Sequence, residues 1–274
     1  MANAPKPTTA KKESSGSSIF ASLTIVICIL IGIVLWKFVM GDGSNFEGGD
    51  NTGHPLPGNY FGMVYKGGYI VPVLMGLFLM VVVFSFERFF VISKATGKGN
   101  VDTFVKKIQT HLSARNIDAA IAECDKQEGS VANVIKSGLK KYKEMEIEQN
   151  MDTEQKCLAI QKDIEEATAL EMPMLEQNLT IIATLVSIGT LMGLLGTVTG
   201  MIKAFAGLAT AGSPDQAALA NGISEALINT ATGIATSTLA IIMYNLFTSK
   251  IDKLTYSIDE AGFSMVQTYA STHD

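Results

Sequence analysis

Cysteine and histidine are scarce in this chain, three of each among 274 residues. Cys28, Cys124 and Cys157 are too few and too scattered for a disulfide framework. Cys28 falls in an apolar run and the other two in a Lys/Glu-rich stretch, so thiols are expected. His54, His111 and His273 share no metal-ligand spacing with one another or with the cysteines, so no metal or other cofactor is expected. Charged residues make up only 17% of the chain and the net charge is -5. No basic face stands out from that acidic background, which excludes a nucleic-acid footprint. No phosphate-binding loop or hydrolase nucleophile motif is present either. What the chain has in quantity is apolar side chains, 47% of all residues, with a positive mean hydropathy. That balance predicts membrane spans.

A helix crossing the hydrocarbon core needs about 20 mostly apolar residues. Four stretches qualify: 19–40, 67–92, 178–208 and 222–249. In the first, Lys37 can extend the span by snorkelling. That stretch could instead be a signal peptide with Lys11 and Lys12 as its basic end. An uncleaved anchor is the expectation, because the apolar part is long and "LWKFVMGDGS" holds no small-x-small cleavage site. Lys/Arg asymmetry sets the orientation. Lys6, Lys11 and Lys12 precede the first span, and Arg88, Lys94, Lys98, Lys106 and Lys107 follow the second or close it. Lys250 and Lys253 follow the fourth. Connector 41–66 holds only Lys66 against Asp42, Glu47 and Asp50, and connector 209–221 holds no Lys or Arg. The tails 1–18 and 250–274 and the segment 93–177 are therefore expected in the cytoplasm. The two connectors are expected outside.

Connector 41–66, with seven glycines, Pro55 and Pro57, reads as a flexible or irregular loop. Segment 93–177 shows apolar residues at helical spacing. Phe104, Ile108 and Leu112 follow a possible cap at Asp102, and Val131, Ile135 and Leu139 follow Ser130. A third stripe runs through Ile160, Ile164, Ala167, Leu170 and Met174. Three or four amphipathic helices are expected, the last continuous with the third span and bent at Pro173. These stripes predict core packing.

The last two spans carry the chemistry. Gly189, Gly193, Gly196 and Gly200 form the small-xxx-small pairs 189/193 and 196/200, which let membrane helices approach closely. Glu225, Asn229, Thr232 and Thr236 make one polar stripe on the fourth span, and Thr230 with Ser237 a second line on another side. A helix with two polar lines faces neither lipid nor a dry core on those sides. Glu225 is the only carboxylate in these two spans, which hold no His, Cys or Asp. It is either an interfacial residue or a functional one. An intramembrane hydrolase would need a nucleophile–base pair that is not there.

"GLLGTVTGMIKAF" followed by "GISEALINTATGIATSTLAIIMYNLF" resembles the last two helices of the MotA/TolQ/ExbB proton channel family, and most nearly its ExbB members. The resemblance covers about residues 178–249. It implies an all-α integral membrane protein whose long helices extend into a cytoplasmic helical domain, assembled as a homopentamer around a lumen in the bacterial inner membrane. It also implies an ExbD-like single-span partner inside that lumen and use of the proton-motive force to energise a TonB-like protein for outer-membrane transport, with protons as the coupling ion. By motif, Thr197 and Thr230 would line the lumen and Glu225 would lie on the proton path, while the four glycines are assigned to helix packing. A TolQ-like role in envelope maintenance and a passive membrane scaffold are the competing expectations. The extra first span and the glycine-rich connector depart from the family pattern.

Overall fold

The computed structural model describes residues 14–210 and 216–273. Lys6, Lys11 and Lys12, on which part of the orientation rests, lie outside the described residues. The described residues are almost entirely helical and contain no strand, only an isolated bridge between Phe46 and Pro55. Among the described residues, four helices are long and apolar enough to cross a membrane, with candidate spans at Phe20–Met40, Gly68–Ser113, Thr153–Gly207 and Leu219–His273. The described residues divide into two compact units, one formed by those up to 82 with those between 185 and 239, the other by 83–184 with those from 240 onward.

In the first unit, α1 (Ser14–Val34) passes into a π-helical segment, Leu35–Met40, and α3 spans Val71–Thr96. α1 meets the start of α3 at glycines. A methyl group on Gly32 would lie 2.9 Å from the Gly76 nitrogen, and one on Gly76 would lie 3.0 Å from the Ile29 Cα. Backbones this close exclude any larger side chain, the same device that small residues provide in membrane helix pairs generally. The glycine-rich connector is irregular, but it is held by specific bonds rather than left as a spacer. The Asn45 amide donates to the carbonyls of Val39 (2.8 Å) and Met40 (3.1 Å), satisfying the open end of the π-helical segment, and Asn59 donates to Asn45. Trp36 stacks on Tyr65 at 4.7 Å, Phe46 is buried against the edge of the same ring, and Lys66 donates to the carbonyls of Asn51 and Thr52. A short helix, α2 (Tyr60–Tyr65), closes it. Of connector 209–221, Gln216–Asn221 is already helix, and residues 211–215 lie outside the described residues.

In the second unit, α4 (Val101–Ser113), α5 (Ile117–Gln127), α6 (Gly129–Ile147) and α7 (Thr153–Glu176) pack with the last third of α9 (Gln216–His273). Ile108, Leu112, Ile135, Leu139 and Ile160 are completely buried with Ala261, Met265 and Tyr269 of α9. Each such aliphatic side chain contributes about 1.5–3 kcal/mol relative to exposure. The Tyr269 hydroxyl donates to the Met145 carbonyl at 2.8 Å, so this core has a polar lock as well. Asn100, not Asp102, caps α4 through its side-chain oxygen, and α6 begins at Gly129 with no side-chain cap from Ser130. The third stripe is buried only at Ile160 and Ile164; Leu170 is 82% exposed and Met174 48%.

The expected continuity of α7 with the third span does not hold. The helix runs through Pro173, ends at Glu176, and breaks at Gln177–Asn178, where Asn178 takes φ 63° before α8 (Leu179–Thr210) begins. Asparagine tolerates that left-handed conformation better than most residues. The orphan carbonyls of the α7 end are met by Arg88 of α3, which is 1% exposed and donates to Met174 (3.1 Å) and Leu175 (3.2 Å). Its own charge is paired with Glu87.

Candidate functional site

The polar residues of α8 and α9 that the sequence singles out lie in the first unit. The α8 glycines all turn toward α9. A methyl group on Gly189 would come 2.6 Å from the Ser237 hydroxyl, one on Gly193 3.1 Å from the Gly233 Cα, and one on Gly200 2.8 Å from the Gly222 carbonyl. At Gly196 it would overlap the side chain of Asn229. Four glycines at helical spacing thus let the two helices touch backbone to backbone.

Glu225 lies near the start of α9 with its side chain 12% accessible, paired at 2.6 Å with Lys203 of α8, which is 52% accessible. Lys203 also sits 6.0 Å from the ring of Tyr69. The carboxylate rests on the turn that precedes α3. Gly68 there has φ +79°, and Glu225 Oε1 occupies the space that a Cβ would need. One turn further along α9, Asn229 is completely buried, and its amide donates to the Gly67 carbonyl at 2.9 Å. Asn229 Oδ1 is buried with no partner among the described residues. Two successive residues of one turn therefore seat Glu225 and Asn229.

Thr230 donates toward the carbonyls of Ala226 (3.2 Å) and Gly193 (3.4 Å), so its hydroxyl lies at the α8–α9 seam. Thr197 donates to the Leu194 carbonyl at 2.6 Å and lines an open apolar groove of about 540 Å³ with Val198 and Met201. The seam continues as Thr190 bonds Ser237, hydroxyl to hydroxyl, at 2.9 Å. Thr232 and Thr236 donate to the carbonyls of Ile228 and Thr232 on their own helix. The structure thus brings Glu225 to Lys203 and Thr230 to Gly193, and shows no direct bond from Thr197 to either of the other two. Sequence reasoning passed over Lys203 and Thr190, and it placed Asn229 in a polar stripe without finding its bond to the Gly67 carbonyl. Lys203 follows an uncharged apolar run of α8, and only its pairing across two helices gives it a role. No group of three or more His, Cys, Asp or Glu among the described residues is placed to hold a metal ion.

A scan against family profiles matches residues 126–260 to the MotA/TolQ/ExbB proton channel family. The chain belongs to this family. The match takes in α8, the described part of α9 up to Glu260, and the α6–α7 region, and leaves α1 through α4 outside it. Among curated relatives, the Tol-Pal system protein TolQ of Pseudomonas aeruginosa is 27% identical over 158 residues, 58% of this chain and 68% of that protein. A putative biopolymer transport protein ExbB-like 3 of Synechocystis is 29% identical over 113 residues, 40% of this chain and 54% of that protein. The biopolymer transport protein ExbB of Salmonella typhimurium is 39% identical over 70 residues, covering 26% of this chain and 29% of that protein. The chain thus spans little more than half of the second relative and less than a third of the third. The family is one of proton channels of the ExbB/TolQ type, made up of channel and transport-associated proteins rather than enzymes, and the four apolar helices suit a multi-pass membrane protein.

Proposed function

We propose that this chain is an ExbB-like subunit of a proton-driven motor in the bacterial inner membrane. It works as a homopentamer around an ExbD-like single-span helix and energises a TonB-like protein for outer-membrane transport. Protons are the coupling ion and no other cofactor is needed. The observation that carries this reading is the Glu225–Lys203 pair at the head of a hydroxyl-bearing α8–α9 seam. An ionisable group in a span is costly and marks an ion route. A proton crossing 100 mV releases about 2.3 kcal/mol, enough to bias the motion of a helix held against such a wall. Co-expression with its genomic neighbours and identification of the bound single-span protein tests it: recovery of an ExbD-like helix and a TonB-like protein supports it. The TolQ-like reading has its own support, since the match to TolQ covers 58% of the chain. Recovery of Tol-Pal components would replace the first reading by the second.

Both seated residues make the turn before α3 part of this proposal. Gly68→Ala puts a Cβ onto the Glu225 carboxylate in a backbone region that disfavours L side chains. Gly58 has nearly the same backbone (φ +78°) but nothing within 4 Å of an added Cβ. Gly58→Ala should therefore cost only the backbone strain, whereas Gly68→Ala should also reduce proton flux through the complex. Equal flux in the two variants would show that the seat is irrelevant to transport.

The orientation, with both ends and residues 93–177 cytoplasmic, is tested by thiol labelling of spheroplasts. The native Cys124 is a poor reporter: it is 2% exposed, and burial pushes its thiol up to about 12, so almost no reactive thiolate exists on either side. Cysteines at exposed positions serve instead. His54→Cys should react with an impermeant reagent in intact spheroplasts and Ser113→Cys only after lysis. The reverse pattern would invert the topology.

A further inference from the structure

The second unit holds a cavity of about 370 Å³ between the α7–α8 junction and α9, and among its walls are two carboxylates, Glu176 and Asp252, with Thr180, Tyr244 and Thr248. Such a volume admits several waters, each of which needs polar partners. The hydroxyl oxygen of Thr248 is buried and has no hydrogen-bond partner among the described residues, unlike the threonines at 230, 232 and 236, whose hydroxyls donate to their own helix. The rim is held in place: Arg88 binds the carbonyls of Met174 and Leu175 immediately before Glu176.

Tyr244, Thr248 and Asp252 continue a line that begins higher on α9. Thr230, Ser237, Tyr244, Thr248 and Asp252 follow one another at steps of 7, 7, 4 and 4 residues. At about 100° per residue these steps keep all five within roughly 80° on one side of the helix. No other Asp or Glu occurs on α9 between Glu225 and Asp252. Hydroxyls and waters can pass a proton, but only a titratable group can hold one.

We propose that this cavity is the mouth through which protons leave the route, with Glu176 and Asp252 as the acceptors. The inference rests on the proton-channel reading above, including its orientation, which places these residues toward the cytosol. A carboxylate oxygen takes the excess proton from a protonated water of the route: one O–H bond of that hydronium breaks as the carboxyl O–H bond forms, and neutral water remains. The carboxyl O–H bond then breaks as the proton passes to a cytosolic water, which becomes hydronium, and the carboxylate is restored. One proton and one charge move, and no electrons change hands.

The test uses the full chain co-purified with its single-span partner, reconstituted into proteoliposomes with a pH dye under an imposed potential. In the Glu176→Gln/Asp252→Asn double variant, flux should fall about tenfold, in keeping with the loss of a positioned proton acceptor, while gel filtration shows the complex intact. Flux equal to the parent's overturns the proposal. A second measurement does not depend on how the acid variant folds. Thr180→Cys in the assembled complex is treated, before reconstitution, with a cationic or an anionic methanethiosulfonate, beside the untreated complex and the parent. The cationic adduct should suppress flux and the anionic one spare it; equal flux with both adducts overturns the proposal. Absence of potential-driven flux in the parent complex would refute the channel reading itself, a separate outcome.

Discussion

Glu225→Gln should abolish potential-driven proton flux through the assembled complex, a loss of about a hundredfold or more if the carboxylate is an obligatory relay group. The substitution keeps size and shape and removes only the ionisable oxygen, so the Gly67–Gly68 seat and the α8–α9 packing should persist. Lys203 would lose its 2.6 Å partner, and that loss is tolerable because its side chain is 52% accessible to begin with. Thr230→Val should also reduce flux strongly, since its hydroxyl reaches the Gly193 carbonyl across the seam as well as its own helix. Thr232→Val removes a hydroxyl bonded to the Ile228 carbonyl and should leave flux near that of the parent. A disabling Thr232→Val with a silent Thr230→Val would move the proton route to the other side of α9.

Gly196→Val should do damage of another kind. The added side chain takes the space of Asn229, whose amide is tied to the Gly67 carbonyl in a fully buried position. Overpacking costs about 1–3 kcal/mol, and uncoupling a buried amide from its acceptor costs about 1–3 kcal/mol more. A fall of roughly 10 °C in the thermal midpoint is expected on the scale that relates such energies to melting. Gly262→Ala is the control. An added methyl there lies 3.4 and 3.5 Å from Ile164 atoms, an ordinary contact, and alanine is the better helix residue. If Gly196→Val melted like Gly262→Ala, the close approach of α8 and α9 would be wrong.

Much of this architecture is legible in the residues because its signals are periodic. Four apolar runs correspond to four membrane-length helices, since lipid leaves a backbone no other way to satisfy itself. The i, i+4 spacing of Ile108 with Leu112, and of Ile135 with Leu139, points directly to the buried faces of α4 and α6. Signals that depend on distant partners were not legible. Pro173 reads as a bend in a helix continuous with the third span, and the helix does run through it. The chain breaks instead at Gln177–Asn178, where Arg88, more than 80 residues away, caps the end. A count of glycines gave connector 41–66 the look of a spacer, and only tertiary contacts reveal that Asn45, Phe46 and Tyr65 fold it. Of the site, the residue types and the α9 stripes were readable. Lys203 was not, because a lysine ending an apolar run has the same appearance whether it snorkels or pairs with a carboxylate.

The account's central claim is that this chain supplies the wall of a proton route and not a complete relay. The described parts of α8, and of α9 as far as Ser249, hold one carboxylate, near one end of α9, and none between it and the opposite end of the apolar run. On the proposed function, the missing titratable group comes from the single-span helix that the oligomer would enclose. The direct test is dye-reported proton uptake by proteoliposomes under a fixed potential, with the purified chain alone and with the co-purified complex. The account predicts near-background uptake for the chain alone and robust uptake for the complex, lost when the carboxylate on the partner's helix is made an amide. Robust uptake through the chain by itself would contradict it.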